Sequence, residues 1–228
     1  MSAAPEEVEP RDPAAELADT GRLAAFSDAV FAIVITLLVL DLRVPEYPEG
    51  DLGAALRSEA PSFLAFVVSF IYVGVLWLNH HAALRLVRGT TLAFNWINLA
   101  ILFGAVLIPF PTMVLASALS AGNRADLRVA VVLYALAATL MSAPWLAFFA
   151  YLRRHPILRA RRVSQDQVRA QEVRPVTGLV LFGLTGLLGW VVHPLFGLLG
   201  IIVMIIYHAF TSEGVRGGPR RWWAGGRR

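Results

Sequence analysis

The chain contains no cysteine and no lysine. Without thiols there can be no disulfide, no cysteine-based zinc site and no thiol nucleophile. All 20 basic side chains are arginine, which together with the alanine-rich loops suits a GC-rich bacterial genome. Charge is scarce: charged residues make up 16% of the chain and apolar ones 57%, with a mean hydropathy of +0.62. Soluble domains average about 25% charged and about 45–50% apolar residues, so this composition is that of an integral membrane protein. The usual catalytic signatures are missing as well. There is no Gly-x-Ser-x-Gly, no His-Glu-x-x-His and no glycine-rich phosphate loop. A hydrolase built on Ser27 and His80 would have no recognisable oxyanion site, so the chain is not expected to be an enzyme.

Six apolar stretches approach the ~20 residues that a helix needs to cross a bilayer. They fall at 22–42, 61–84, 91–119, 128–152, 176–193 and 195–212. The fold class expected is an all-α membrane protein of six transmembrane helices. The last two spans run together across His193-Pro194, and Pro194 is expected to open the sixth helix after a tight hairpin. A re-entrant pair is the alternative. Residues 1–21 are acidic and rich in Pro and Ala, and read as a disordered tail without the basic, apolar pattern of a signal peptide. The six-helix domain spans 22–212, and a basic Trp/Arg tail follows over 213–228. In that tail Trp222 and Trp223 suit the membrane interface and the arginines suit anionic lipid headgroups.

Arginine placement sets the orientation. With the N-terminus inside, sixteen arginines fall on cytoplasmic segments and only Arg43, Arg57, Arg124 and Arg128 lie outside. The positive-inside rule therefore puts both termini in the cytoplasm. This also accounts for the pI of about 10.1, which in a soluble protein would point to nucleic acid; no nucleic-acid partner is expected.

The first span, "RLAAFSDAVFAIVITLLVLDLRVP", carries a carboxylate, Asp28, in its first third. An ionisable group at membrane depth is costly and marks a functional or packing constraint. At 100° per residue, Leu37, Leu40 and Phe26 fall within about 40° of Ile33, Ala29 and Thr36 within about 60°, and Ser27 and Asp28 about 120–140° away. One face is thus apolar with a single hydroxyl beside it, and Asp28 looks the other way. By the helical rise of 1.5 Å per residue, Asp28 sits about 9 Å beyond Arg22.

Asn79, His80 and His81 near the end of the second span, Asn95 and Asn98 in the third, and His208 in the sixth fall at a similar depth. These residues are expected to give Asp28 an interhelical polar network, since a buried carboxylate needs partners. A metal site is not expected: His80 and His81 are adjacent, and no His-x-x-x-His or Glu-x-x-His pair occurs.

With "LWLNHH", "NWINLAILFGAVLIPFPT" and a late "YHAF" beside the first span, the sequence resembles the bacterial branch of the transmembrane protein 175 family, potassium-permeable cation channels with relatives in animal endosomes and lysosomes. The most specific feature is the Arg-x-x-x-Phe-Ser-Asp signature, met by Arg22, Phe26, Ser27 and Asp28. The resemblance implies one six-helix unit per chain, a homotetramer in the bacterial plasma (inner) membrane, and a pore lined by the first helix of each subunit. It puts the constriction at Ile33, with Leu37 and Leu40 along the same face and Thr36 at a hydroxyl position linked to potassium preference. Arg22, Ser27 and Asp28 would be scaffold residues. The implied partners are membrane lipids and monovalent cations, with K+ as permeant ion and no cofactor.

No "TVGYG"-type segment is present for a carbonyl-lined filter. Rings of Ile33, Leu37 or Leu40 would gate by dewetting and confer modest selectivity. The loop after the first span holds Asp41, Glu46, Glu49, Asp51 and Glu59 against Arg43 and Arg57, a surplus of negative charge that would concentrate cations at the outer mouth. A proton-coupled secondary transporter relaying protons through Asp28 and the histidines is the alternative function. It lacks support from matching Pro-broken helices, since Pro109 and Pro111 have no counterpart in the sixth span.

Overall fold

A computed structural model describes residues 17–211. Most of the tail expected over 1–21 and everything after 211, including the basic tail at 213–228, lie outside the described residues. Among the described residues eight α-helices run in order: α1 (Thr20–Leu37), α2 (Leu52–Ser58), α3 (Ala60–Leu84), α4 (Leu92–Leu107), α5 (Pro109–Ala121), α6 (Arg124–Arg154), α7 (Gln165–Val191) and α8 (Pro194–Thr211). A 3-10 turn over Leu38–Asp41 carries the first span on to Leu40. With α4 and α5 joined end to end, six spans among the described residues are long and apolar enough to cross a membrane.

The boundaries have local causes. Pro109 has no amide hydrogen and opens α5, and the turn before it tightens so that the Ile108 amide donates to the Ala105 carbonyl at 3.1 Å. The third span is therefore two stacked helices. Thr91 caps α4 by accepting from the Phe94 amide, and Asn123 caps α6 by accepting from the Ala125 amide at 2.8 Å. Between α5 and α6 the chain reverses at Gly122, whose φ of +64° is open to a residue without a Cβ. Helix α7 begins at Gln165, eleven residues before the fifth apolar stretch, because Ser164 and Gln167 form a capping box. Its first turns are polar, and a hydropathy profile cannot register them. At the other end α7 and α8 form the tight hairpin, with α8 opening at Pro194.

Helix α6 is the spine, packed against α4, α5, α7 and α8; α1 rests on α3 and α4. Close approach of α6, α7 and α8 depends on Gly197, where an added Cβ would lie 2.5 Å from Val131 Cγ1 and 2.9 Å from the Gly189 Cα. The apolar core has two parts. One contains Phe31, Val34, Leu38, Tyr72, Tyr134 and Phe182; the other, beside the α3–α4 loop, contains Phe94, Trp145, Phe148 and Leu158.

The loops at the arginine-rich end interlock through their backbones. Ala18 exchanges amide–carbonyl bonds with Thr90 at 3.1 and 2.9 Å, so the chain is held in place two residues before α1 begins. The Arg88 amide donates to Leu158 and the Ala160 amide to Leu86, both at 2.9 Å. This collar fastens the entry of α1 to the connections on either side of the bundle.

A polar anchor and an exposed apolar face on the first helix

Helix α1 divides into two sides. Ser27, Phe31, Val34 and Leu38 are at most 1% exposed, whereas Ile33 is 58%, Leu37 42% and Leu40 67% exposed in the isolated subunit. Phe26, Ala29 and Thr36 are exposed as well. The residues that a helical wheel groups around Ile33 are all on the exposed side, which also includes Ala25, Ala32 and Val39. Thr36 bonds to its own helix, with Oγ1 2.8 Å from the Ile33 carbonyl and 3.1 Å from that of Ala32. Its single proton is therefore committed to the backbone, and the two oxygen lone pairs are what the side chain has left to offer.

The buried side is anchored by a directional chain. Ser27 Oγ donates to the Leu23 carbonyl at 2.8 Å, and a carbonyl can only accept. Ser27 must then accept from Asn98 Nδ2 at 3.0 Å. The Asn98 Oδ1 that remains accepts from His80 Nε2 at 2.8 Å, which puts the imidazole proton on Nε2 and leaves Nδ1 as a buried lone pair with no partner among the described residues. One hydroxyl, one amide and one imidazole thus bind α1 to α4 and α3. All three side chains are fully buried, and His80 is sandwiched between Phe31 at 5.3 Å and Trp145 at 5.9 Å, centroid to centroid.

Asp28 is anchored separately. Its Oδ1 accepts from Trp77 Nε1 at 2.8 Å, a bond at the partly exposed edge of the α1–α3 contact. Trp77 was not among the residues that the sequence singles out. A signal was available, because the indole N–H of a membrane tryptophan needs an acceptor and Trp77 lies one turn before His80 on the same side of α3.

The other polar residues at this depth lie elsewhere. Arg22 is exposed and has no hydrogen bond or ion pair among the described residues. His81 packs against the Trp77 ring at 6.0 Å. Asn95 is half-buried on α4, with an Oδ1 that has no partner among the described residues. Asn79 and His208 both border a cleft among α3, α6, α7 and α8. No cluster of three or more His, Cys, Asp or Glu side chains suited to a metal occurs among the described residues. A second buried relay joins Thr112 on α5, Ser69 on α3 and Tyr134 on α6, with oxygen separations of 2.7 and 3.0 Å. Thr112 also bonds the Ile108 carbonyl at 2.8 Å, at the break in the third span.

Six apolar spans among the described residues, with a first helix pinned by polar contacts on one side and bare on the other, are those of a multi-pass membrane protein. A family profile described as "Endosomal/lysosomal potassium channel TMEM175" matches residues 22–109. A potassium channel of Streptomyces collinus is 37% identical over 195 residues, which cover 85% of this chain and 93% of that protein. A potassium channel of Chamaesiphon minutus is 46% identical over 106 residues, 45% of this chain and 52% of that one. The crystal structure of a lysosomal potassium-selective channel TMEM175 homolog from Chamaesiphon minutus superposes with a TM-score of 0.72 at 33% identity, over 85% of this chain and 97% of that chain. The chain belongs to the TMEM175 family, an ion-channel family and not an enzyme family.

Proposed function

We propose that the protein is a potassium-permeable cation channel, a homotetramer whose pore is lined by α1 of each subunit, in a bacterial plasma membrane with both termini cytoplasmic. The observation that carries this reading is the division of α1. A helix fixed by Ser27 and Asp28 on one side presents Ile33, Leu37 and Leu40 on the other, all more than two-fifths exposed in the isolated subunit. Four such faces around an axis would form stacked apolar rings, with Ile33 as the constriction.

A throat of aliphatic side chains cannot replace an ion's hydration shell. It conducts when wide enough to hold continuous water and closes by dewetting. Thr36 adds a ring of hydroxyl oxygens whose protons are held by the helix backbone, which is the polarity a cation needs. The acidic loop between α1 and α3 supplies a salt-dependent attraction for cations at the outer mouth. Ser27, Asn98, His80, Asp28 and Trp77 serve as the scaffold that fixes the rotation of α1 about its axis.

The test is potassium flux from liposomes holding the purified protein, beside Ile33→Asn and empty vesicles. Flux that follows the potassium gradient and changes with Ile33→Asn supports the reading. Proton-coupled uptake without passive potassium flux would favour the transporter, for which the buried His80 and the membrane-embedded Asp28 are the candidate relay.

A further inference from the structure

Helices α6 and α7 pack antiparallel, and a groove between them opens on the surface. Ala135, Phe182 and Gly186 are buried at its floor, while Leu136, Leu187 and Trp190 form its rims and stay more than half exposed in the isolated subunit. Its volume is about 270 Å3. At the ~30 Å3 share of one water, close to the size of a methylene group, it has room for about nine methylenes of a hydrocarbon chain. From Phe182 to Trp190 the groove follows α7 for about 12 Å at 1.5 Å per residue. That lies within one leaflet of the ~30 Å hydrocarbon core, the leaflet away from the collar.

Gly183 keeps the groove hollow. An added Cβ at Gly186 would lie 3.1 Å from that of Ala135, so glycine there serves the close helix contact, but at Gly183 it would meet nothing within 4 Å. Glycine weakens a helix interior, and no neighbour within the subunit requires it at this position. The end of the groove away from the collar is cationic. Arg124, Arg128 and Val132 follow one another at four-residue spacing on the groove side of α6. The Arg128 guanidinium lies 5.8 Å from the centre of the Trp190 ring and has no hydrogen-bond or ion-pair partner among the described residues, although its Nε is buried. Arg124 reaches the Val192 carbonyl with one nitrogen at 3.2 Å, which leaves other N–H groups to a ligand. No aspartate or glutamate lines the groove. Asp126, about 160° round the helix from Arg128, accepts from the Asn123 side-chain amide at 2.9 Å.

We propose that the α6–α7 groove holds one acyl chain of an anionic phospholipid, whose phosphate is bound by Arg128 with Arg124 beside it. An apolar groove alone would not select a lipid, because lipid tails are as apolar as the side chains they meet and every phospholipid brings them. The arginines supply the preference. A guanidinium forks onto phosphate oxygens, and two cations favour a headgroup of net negative charge over a zwitterionic one. The chain lies along α7 from Trp190 toward Phe182, over Gly183. A helix of a second copy would suit the small residues but would bury Arg128 without an anion. Helix α1 rests on α3 and α4, not on the helices of the groove, so the site is independent of which ion the pore passes.

Native mass spectrometry of the full-length assembly, taken from vesicles of phosphatidylglycerol and phosphatidylcholine, tests the proposal. The expected result is one phosphatidylglycerol retained per subunit at collision energies that strip phosphatidylcholine. Retention should fall roughly tenfold or more in Arg128→Gln, which removes the partner of the phosphate, and in Gly183→Leu, which fills the groove from a position whose Cβ meets no neighbour. It should stay unchanged in Arg57→Gln, an exposed arginine on α2 outside the groove. If Arg128→Gln fails to assemble, Gly183→Leu decides. Equal retention of the two lipids, or undiminished retention in either groove variant, overturns the proposal. A Gly183→Leu protein of altered subunit number also overturns it, and would give the groove to a neighbouring copy. The readout is bound lipid, so a protein that fails to conduct can still pass.

Discussion

Replacing Asn98 by leucine tests the anchor of α1 at its centre. Asn98 is completely buried, donates to Ser27 at 3.0 Å and accepts from His80 at 2.8 Å. Leucine keeps its branched shape, though with more bulk, and removes both bonds. Ser27 keeps its own acceptor, Leu23, and loses only an incoming donor. His80 keeps an N–H on one nitrogen or the other with nowhere to donate, and a buried orphan donor costs about 1–3 kcal/mol. Interhelical hydrogen bonds in bundles average about 0.6 kcal/mol and reach about 1.7. Because the site is fully buried, the orphan penalty dominates, and a loss of about 1–3 kcal/mol is expected. At 1.4 kcal/mol per decade this is roughly a 5- to 150-fold shift in the unfolding constant. The assay is equilibrium unfolding of the reconstituted protein, with Ser27→Ala and the double variant completing a cycle. Contacting residues should show non-additivity of about 0.5–3 kcal/mol. Stability of Asn98→Leu within about 0.3 kcal/mol of wild type, with additive effects, would refute the anchor.

Trp77→Phe removes the donor to Asp28; at that partly exposed site the loss should be about 1 kcal/mol, read in the same unfolding assay and smaller than that of Asn98→Leu. Leu37→Ala should raise or reshape conduction in single-channel recordings without changing subunit stoichiometry, because it widens an exposed face and removes no contact of the buried side. Gly197→Ala should cost about 1–3 kcal/mol, since its methyl group meets the Gly189 backbone as well as Val131. A thermal melt that matches wild type would show that α7 and α8 can move apart at little cost.

The six spans were legible because hydropathy reports them directly, and Pro194 marks where the fifth gives way to the sixth. The early start of α7 was not legible from hydropathy. Its first turns, "QDQVRAQEVR", are polar, although the Ser164-x-x-Gln167 cap that begins them is a local sequence signal. The stacked break at Ile108 follows from Pro109, but the Thr112–Ser69–Tyr134 relay beside it joins residues far apart in sequence, and no local pattern exposes it.

The polar residues around Asp28 teach a different lesson. Common depth in the membrane does not make common contact. Asn79 and His80 are neighbours, and their 100° separation sends one to the α7-side cleft and the other to the α1–α4 anchor. His208 is on α8, which packs against α3, α6 and α7 and so reaches the cleft, not α1. Which faces meet depends on how the helices are arranged around α6, and periodicity along one helix carries no information about that.

The absence of cysteine makes the central claim directly testable. In Ile33→Cys, a pore lined by four copies of α1 would place four thiols around the constriction, a soft ligand set for cadmium. Micromolar cadmium should block the potassium current of Ile33→Cys, a chelator should restore it, and the cysteine-free wild type should be insensitive. A conducting Ile33→Cys channel that ignores cadmium from both sides of the membrane would contradict the assignment of the constriction to this face of α1.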